Sequence, residues 1–243
     1  MLRRITDGIV FAALLTACGS KPKQGVTVDA PLSPRRQVHK QMRAEYYAAL
    51  GILEAIVDGR LADARGKATW VVTHGDNFDP PASRDDDLLR AADTIAHAKT
   101  VLDSAGGLAR LGHACAQCHL AQRANVDVGF ANFSPPPEST ELSNQMQRHA
   151  WASERLWQGM LAPSDAAWTQ GADLLASTAI DLSTTNHGKP NAEAVVLAER
   201  LRTTAESAVH ANQTDRSIVF GEMVVTCARC HDLARMHPTF GDH

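Results

Sequence analysis

Apolar residues recur along the chain at helical spacing, and no stretch sustains the apolar–polar alternation of a half-buried strand. The clearest stripe places its apolar residues at intervals of three and four, which predicts one face of a helix. Its members are Met42, Tyr46, Ala49, Leu53 and Ile56. Gly59 is expected to end this helix, and a second is predicted at about 61–74. A third is predicted at about 86–104, and Gly106–Gly107 is expected to break the chain before a fourth.

A second set of four helices is predicted in the other half of the chain. Its boundaries are about 141–161, 164–177, 191–212 and 216–236. In the first half, the stretch GDNFDPPASR is expected to be a loop, because its paired prolines cannot continue a helix. Four helices with short connections in each half predict an all-α fold of two tandem four-helix bundles.

The two halves are copies of one unit. CAQCHLAQR at 115–123 matches CARCHDLAR at 227–235, and the twelve residues before each motif align without a gap. Further upstream, residues 41–71 align with 145–175, so that Met42 falls on Met146. The second copy is longer within TAIDLSTTNHGKPNAE, as a surface loop tolerates.

Composition narrows the class of protein. The chain has 243 residues, 44% of them hydrophobic and only 5% aromatic, and it is rich in the helix formers alanine and leucine. The formal net charge is -3 and no dense basic run occurs, so no nucleic-acid partner is expected.

The N-terminal residues carry a targeting signal rather than part of the fold. Arg3 and Arg4 precede the short apolar stretch GIVFAALL, which is too short to span a bilayer. LTAC follows and resembles the lipobox of bacterial lipoproteins; the alternative is an ordinary signal peptide with a chance cysteine. The resemblance implies that residues 1–17 are removed and that Cys18 is lipidated and anchors the protein in a bilayer. The resemblance also implies the periplasmic face of a bacterial membrane. Because Gly19 rather than Asp follows Cys18, it favours the outer membrane where there are two.

The remaining segments connect and space the domains. Residues 18–36 have little to bury and are expected to be a flexible tether. The predicted haem domains at 37–123 and 140–236 are joined by a proline-rich linker at 124–139, and residues 237–243 form a tail. Three consecutive prolines favour a stiff, extended linker, which predicts spaced rather than merged domains.

Four cysteines remain once Cys18 is assigned to lipid, and all of them lie in C-x-x-C-H motifs. A thioredoxin-like redox pair would need a βαβ pattern, and a zinc site would need further ligands close by. Covalent haem attachment explains every position: two thioethers one helical turn apart, then a histidine that reaches the iron. Two covalently attached haem c groups are therefore predicted. Their expected attachment sites are Cys115, Cys118, Cys227 and Cys230, with His119 and His231 as axial ligands.

A C-terminal helix with C-x-x-C-H and an arginine four residues after the histidine resembles the cytochrome c-prime class, the four-helix-bundle cytochromes c. The resemblance implies that a residue of the first helix covers the other side of each iron, which makes Met42 and Met146 the candidate sixth ligands. His39 and His149 share those helix faces but are not equivalent in the repeat. Arg123 and Arg235 lie one turn beyond the histidines and are candidates to pair with haem propionates.

These observations predict a membrane-anchored dihaem cytochrome that transfers single electrons to redox protein partners at the membrane, not an enzyme. The alternative is a five-coordinate haem protein that senses or scavenges NO or CO. A haem peroxidase is disfavoured because no acid–base pair stands out. The sequence leaves the oligomeric state open.

Overall fold

A computed structural model of the chain describes residues 34–74, 86–124, 126, 134–182 and 191–234. These residues form helices and no strand, which confirms the prediction of an all-α fold. The eight helices are α1 (Pro34–Val57), α2 (Leu61–His74), α3 (Asp86–Ala96), α4 (Val101–Ala121), α5 (Leu142–Leu161), α6 (Asp165–Ser177), α7 (Ala192–Ala208) and α8 (Gln213–Ala234). The predicted GDNFDPPASR loop and most of the insertion in the second copy lie outside the described residues.

The junction between α3 and α4 differs from the prediction. The chain leaves the helix after Ala96 and begins α4 at Val101, well before Gly106–Gly107. Thr100 caps α4: its side chain accepts a hydrogen bond from the Asp103 amide, and the Asp103 carboxylate accepts one from the Thr100 amide. This capping box satisfies amides that would otherwise lack a partner. The two glycines therefore lie inside α4, and Gly107 makes room for Ile95, whose Cγ1 would lie only 2.5 Å from a Cβ at that position.

The boundaries of several other helices follow their local signals. α2 spans the predicted residues, and α6 and α7 begin directly after Ser164 and Asn191. The side chains of both residues accept hydrogen bonds from amides in the first turn of the helix they precede. The first residues of α6 and α7 are set by contacts between neighbours in the chain, so their positions could be predicted from the sequence.

The two sets of helices share one core. The long helices α1, α4, α5 and α8 pack against one another at the centre, with α2–α3 on one side and α6–α7 on the other. A single hydrophobic cluster includes Ile52, Leu108, Trp157 and Phe220, one from each long helix, and all four are fully buried. Each such side chain contributes about 1.5–3 kcal/mol through burial. The expectation that the linker holds the two domains apart is therefore wrong for the described helices.

Small residues allow the long helices to approach closely. A Cβ at Gly221 of α8 would lie 3.2 Å from the Cβ of Ala109 of α4. A Cβ at Gly112 of α4 would lie 2.3 Å from the Met160 Cε and 2.9 Å from the Trp157 Cζ3 of α5. Ala109 and Gly221 are equivalent positions of the repeat, so α4 and α8 meet at matching points.

The described part of the linker is tied to α5. The buried Arg148 guanidinium donates to the Pro136 carbonyl, and the Gln145 side-chain amide donates to the Ser139 carbonyl at 3.3 Å. These contacts explain how a proline-rich segment can lie against the helices rather than space them. Within the described ranges, no helix combines the length and the apolar character needed to cross a bilayer.

Candidate haem sites

The second motif opens onto a cavity between α8 and α5. Cys227, Cys230 and His231 of α8 line it, and so do Met146 and His149 of α5. Cysteines three residues apart lie one turn apart on one helix face, and the histidine follows directly. The structure thus brings the predicted attachment and ligand residues of the second motif together with the predicted sixth-ligand candidate, Met146.

The walls of this cavity are largely apolar and come from both halves of the chain. α1, from the first half, contributes Leu50, Leu53 and Val57, and α7 contributes Leu197 and Leu201. The cavity measures about 50 Å³. Its donor set, rather than its volume, is what fits a covalently attached haem.

His149 is a half-buried imidazole that is neutral at pH 7. Its Nε2 lies 3.2 Å from the Thr178 carbonyl oxygen, which can only accept, so Nε2 carries the proton. Burial lowers the pKa of His149 to about 4, with smaller contributions from the nearby His231 and Arg148. The Nδ1 atom is consequently the nitrogen that retains a lone pair.

The histidine of the first motif also contacts a backbone carbonyl. The His119 Nδ1 lies 2.7 Å from the carbonyl oxygen of Leu161, at the C-terminal end of α5. Because a carbonyl only accepts, Nδ1 donates and Nε2 keeps its lone pair. A ligand histidine typically donates its second ring N–H to such a carbonyl, which fixes both the tautomer and the ring orientation. The first motif is therefore oriented by a residue of the second half.

Met42, the predicted sixth ligand of the first motif, is more exposed than its counterpart in the second. Met42 lies on α1 with 36% of its surface exposed, whereas its counterpart Met146 lines the cavity described above. Three residues after Met42, Glu45 is close enough to Cys115 for its charge to raise the pKa of that thiol. The repeat aligns Glu45 with His149, so the two motifs face different side chains. The assignment of Met42 stays a prediction.

The thiols have the acid–base properties of buried structural cysteines. Burial raises the pKa of Cys115 and of Cys227 to about 12, and the second cysteine of each motif adds to the shift. Burial also raises the pKa of Cys230, whereas Cys118 is exposed. Redox-active C-x-x-C pairs have a lowered pKa because the thiolate is the nucleophile. This difference weighs against the thiol–disulfide alternative.

Arg123 lies just beyond α4 in an unusual backbone conformation. Its φ is +49°, in the left-handed region, and its side chain is exposed. The Ala124 amide donates to the His119 carbonyl and the Arg123 amide to the Leu120 carbonyl, which together form a Schellman motif. Arg123 therefore has a structural role in ending α4, and its pairing with a propionate stays a prediction. Arg235 and Cys18 lie outside the described residues.

Both motifs have the donors that a haem iron requires from a protein. No group of three or more His, Cys, Asp or Glu is placed to hold a bare metal ion in the part of the chain that the structure describes. A porphyrin supplies four ligands of its own, so one or two side chains suffice. Two thiols and one imidazole on each motif helix match that need.

Sequence reasoning missed the groups that orient the histidines. Both are backbone carbonyls, of Leu161 and Thr178, and a carbonyl leaves no signal in the residue type. The Arg148 Nε donates a hydrogen bond to the Thr178 hydroxyl at 3.2 Å. Nothing in the sequence distinguishes Arg148 from an arginine on the surface of a helix. The proximity of His149 to the second motif was detectable from its position three residues after Met146. No protein-family model, curated protein or solved structure matches the chain.

Proposed function

We propose that this protein is a dihaem c-type cytochrome that transfers single electrons. The observation that carries the proposal is the cavity lined by Cys227, Cys230 and His231 on one helix and by Met146 and His149 on the facing helix. Two thiols and an imidazole on one helix, with a thioether and a second imidazole on the facing helix, include the donor set of a covalently attached, six-coordinate haem.

Each residue has a distinct role in this function. Each bound haem would supply a one-electron couple at its iron. Cys115 and Cys118, and likewise Cys227 and Cys230, would form the thioethers, while His119 and His231 would bind from the same helices. The apolar walls exclude water, which holds the site at a low dielectric and influences the reduction potential. Contact between α4 and α8 favours electron exchange between the two sites.

The proposal extends to the location of the protein and to the bundle type. Cys18 would carry lipid and hold the protein at the periplasmic face of a bacterial membrane, where redox protein partners would be reached through the tether. The resemblance to the cytochrome c-prime class supports two tandem four-helix bundles. In this chain those bundles would share a core along α4 and α8.

Covalent haem attachment is directly testable. The protein produced in a cell that matures c-type cytochromes should gain the mass of two haems and keep them after denaturation. A C227A/C230A variant should carry one haem, and so should C115A/C118A. A mass without any haem, or unchanged haem content in both double variants, would refute the proposal.

A gas-binding function is the second candidate, and the exposure of Met42 favours it at the first motif. If Met42 does not bind that iron, the iron is five-coordinate, and CO should bind rapidly to half of the reduced haem. If both irons are six-coordinate, CO binding should be slow at both. A stopped-flow measurement of CO binding to the reduced protein distinguishes the two.

A further inference from the structure

The cavity at the second motif contains two possible sixth ligands rather than one. Met146 and His149 lie three residues apart on one face of α5, and both line the cavity with His231. We propose that His149, and not Met146, is the sixth ligand of the second haem, so that this iron is held between two imidazoles. This inference rests on the proposed function.

The first argument is the hydrogen bond that orients His149. Its Nε2–H donates to the Thr178 carbonyl at 3.2 Å, which leaves Nδ1 as the nitrogen that can bind iron. His119, the predicted axial ligand of the first motif, makes the same kind of bond to the Leu161 carbonyl. A histidine that binds a metal usually donates the N–H of one ring nitrogen to a carbonyl or carboxylate and binds the metal through the other nitrogen.

The second argument is that the carbonyl itself is held in place. The Thr178 hydroxyl accepts from the buried Arg148 Nε at 3.2 Å and donates to the Leu174 carbonyl at 2.7 Å. Nearby, the buried Gln145 side chain accepts from the Asp181 amide at 2.7 Å. Two buried polar side chains of α5 thus fix the segment that orients His149. A thioether such as that of Met146 is flexible and receives no comparable support.

The third argument is the contrast with the first half. The repeat aligns Gln41 with Gln145, but it places Ala44 opposite Arg148 and Glu45 opposite His149. The Glu45 carboxylate accepts from the Gln41 side chain at 3.0 Å. The first motif therefore lacks both the imidazole and the arginine that positions its carbonyl partner. The inference makes the two haems chemically unequal although their motifs are nearly identical.

The test uses the mature dihaem protein and reads the iron directly. In His149→Ala, half of the haem iron should change from low-spin to high-spin in electron paramagnetic resonance, and added imidazole should restore the low-spin signal. Met146→Leu should leave the spin state of the second haem unchanged. His97→Ala, which removes an exposed histidine just beyond the end of α3, is the matched control and should have no effect.

A second variant keeps the inference testable even if His149→Ala fails to fold. Met42→Ala removes the predicted thioether ligand of the first haem, so no methionine–iron charge-transfer band should remain in the oxidised spectrum. A band that persists in Met42→Ala and disappears in Met146→Leu would overturn the inference. The haem content measured by mass spectrometry distinguishes failure of the proposed function from failure of this inference. A protein without haem would refute the proposed cytochrome function. A protein with two haems and a methionine ligand at the second haem would refute only the role of His149.

Discussion

The His119 Nδ1 lies 2.7 Å from the carbonyl oxygen of Leu161, although the two residues belong to different copies of the repeat. In the reverse direction, Leu50 and Leu53 of the first copy form a wall of the cavity at the second motif. Each C-x-x-C-H motif is thus completed by the other half of the chain. If the motifs hold haem as proposed, a change at the contact between the halves should alter the haem environment.

Gly112 offers the sharpest test of that coupling. Its replacement by leucine would place a side chain where the Met160 Cε and the Trp157 ring now lie, forcing α4 away from α5. Overpacking of this kind costs about 1–3 kcal/mol of unfolding free energy. We expect this loss in denaturant unfolding. If His119 binds a haem as proposed, the reduction potential of that haem should shift as well.

Gly106 provides the control for that experiment because it lies in the same helix with open space around it. The nearest atom to a Cβ there would be the Arg110 Nη1, at 3.9 Å. Alanine is favoured over glycine inside a helix, so Gly106→Ala should stabilise the protein by about 0.5–1 kcal/mol. Equal effects of Gly106→Ala and Gly112→Leu would contradict the packing described here.

The start of α4 depends on Thr100. Thr100→Ala removes the hydroxyl that accepts from the Asp103 amide, and loss of such a cap costs about 1 kcal/mol. Thr69→Ala, in an exposed position within α2, should be close to neutral by comparison. Thermal unfolding followed by circular dichroism measures both. A start of α4 at the glycines would instead leave Thr100→Ala without effect.

Arg123 combines a strained backbone with a charge, and two variants separate these properties. Arg123→Gly should stabilise the protein by about 1 kcal/mol, because the left-handed conformation costs glycine nothing, whereas Arg123→Ala keeps the strain. Both variants remove the same positive charge. If Arg123 pairs with a propionate, both should lower the reduction potential of the first haem equally, as measured by a redox titration. An unchanged potential in both would leave Arg123 with its structural role alone.

The buried thiols predict a pH dependence for the haem-free polypeptide. Burial raises the pKa of Cys115 and Cys227 from 9.0 to about 12, so the folded chain holds more protons than the unfolded chain between these values. The contribution of these thiols to stability should therefore be constant below pH 9 and fall as the pH rises towards 12. Chemical denaturation across that range measures it. At pH 8, alkylation should reach the exposed Cys118 well before Cys115, and the opposite order would contradict the described burial.

Local signals account for what could be predicted at the level of helices. The stripe from Met42 to Ile56, the cap at Ser164 and the cap at Asn191 act through adjacent residues, so the sequence indicated those elements. The predicted position of the α3–α4 junction was wrong because a pair of glycines usually indicates the end of a helix. Gly107 instead lies within α4, where a side chain would not fit. It accommodates Ile95 of a neighbouring helix, a contact that no local pattern reveals.

The sequence by itself determined the all-α class, the two C-x-x-C-H helices and the pairing of Met42 with Met146 in the repeat. These depend on periodicity and spacing along one chain. Only the tertiary structure decided that the halves share a core, that the Leu161 carbonyl orients His119, and that His149 enters the cavity of the second motif. Each of these is a contact between residues far apart in the chain, set by the close approach of small residues such as Ala109 and Gly221. Because such contacts form only when whole helices pack, spacing along the chain does not predict them.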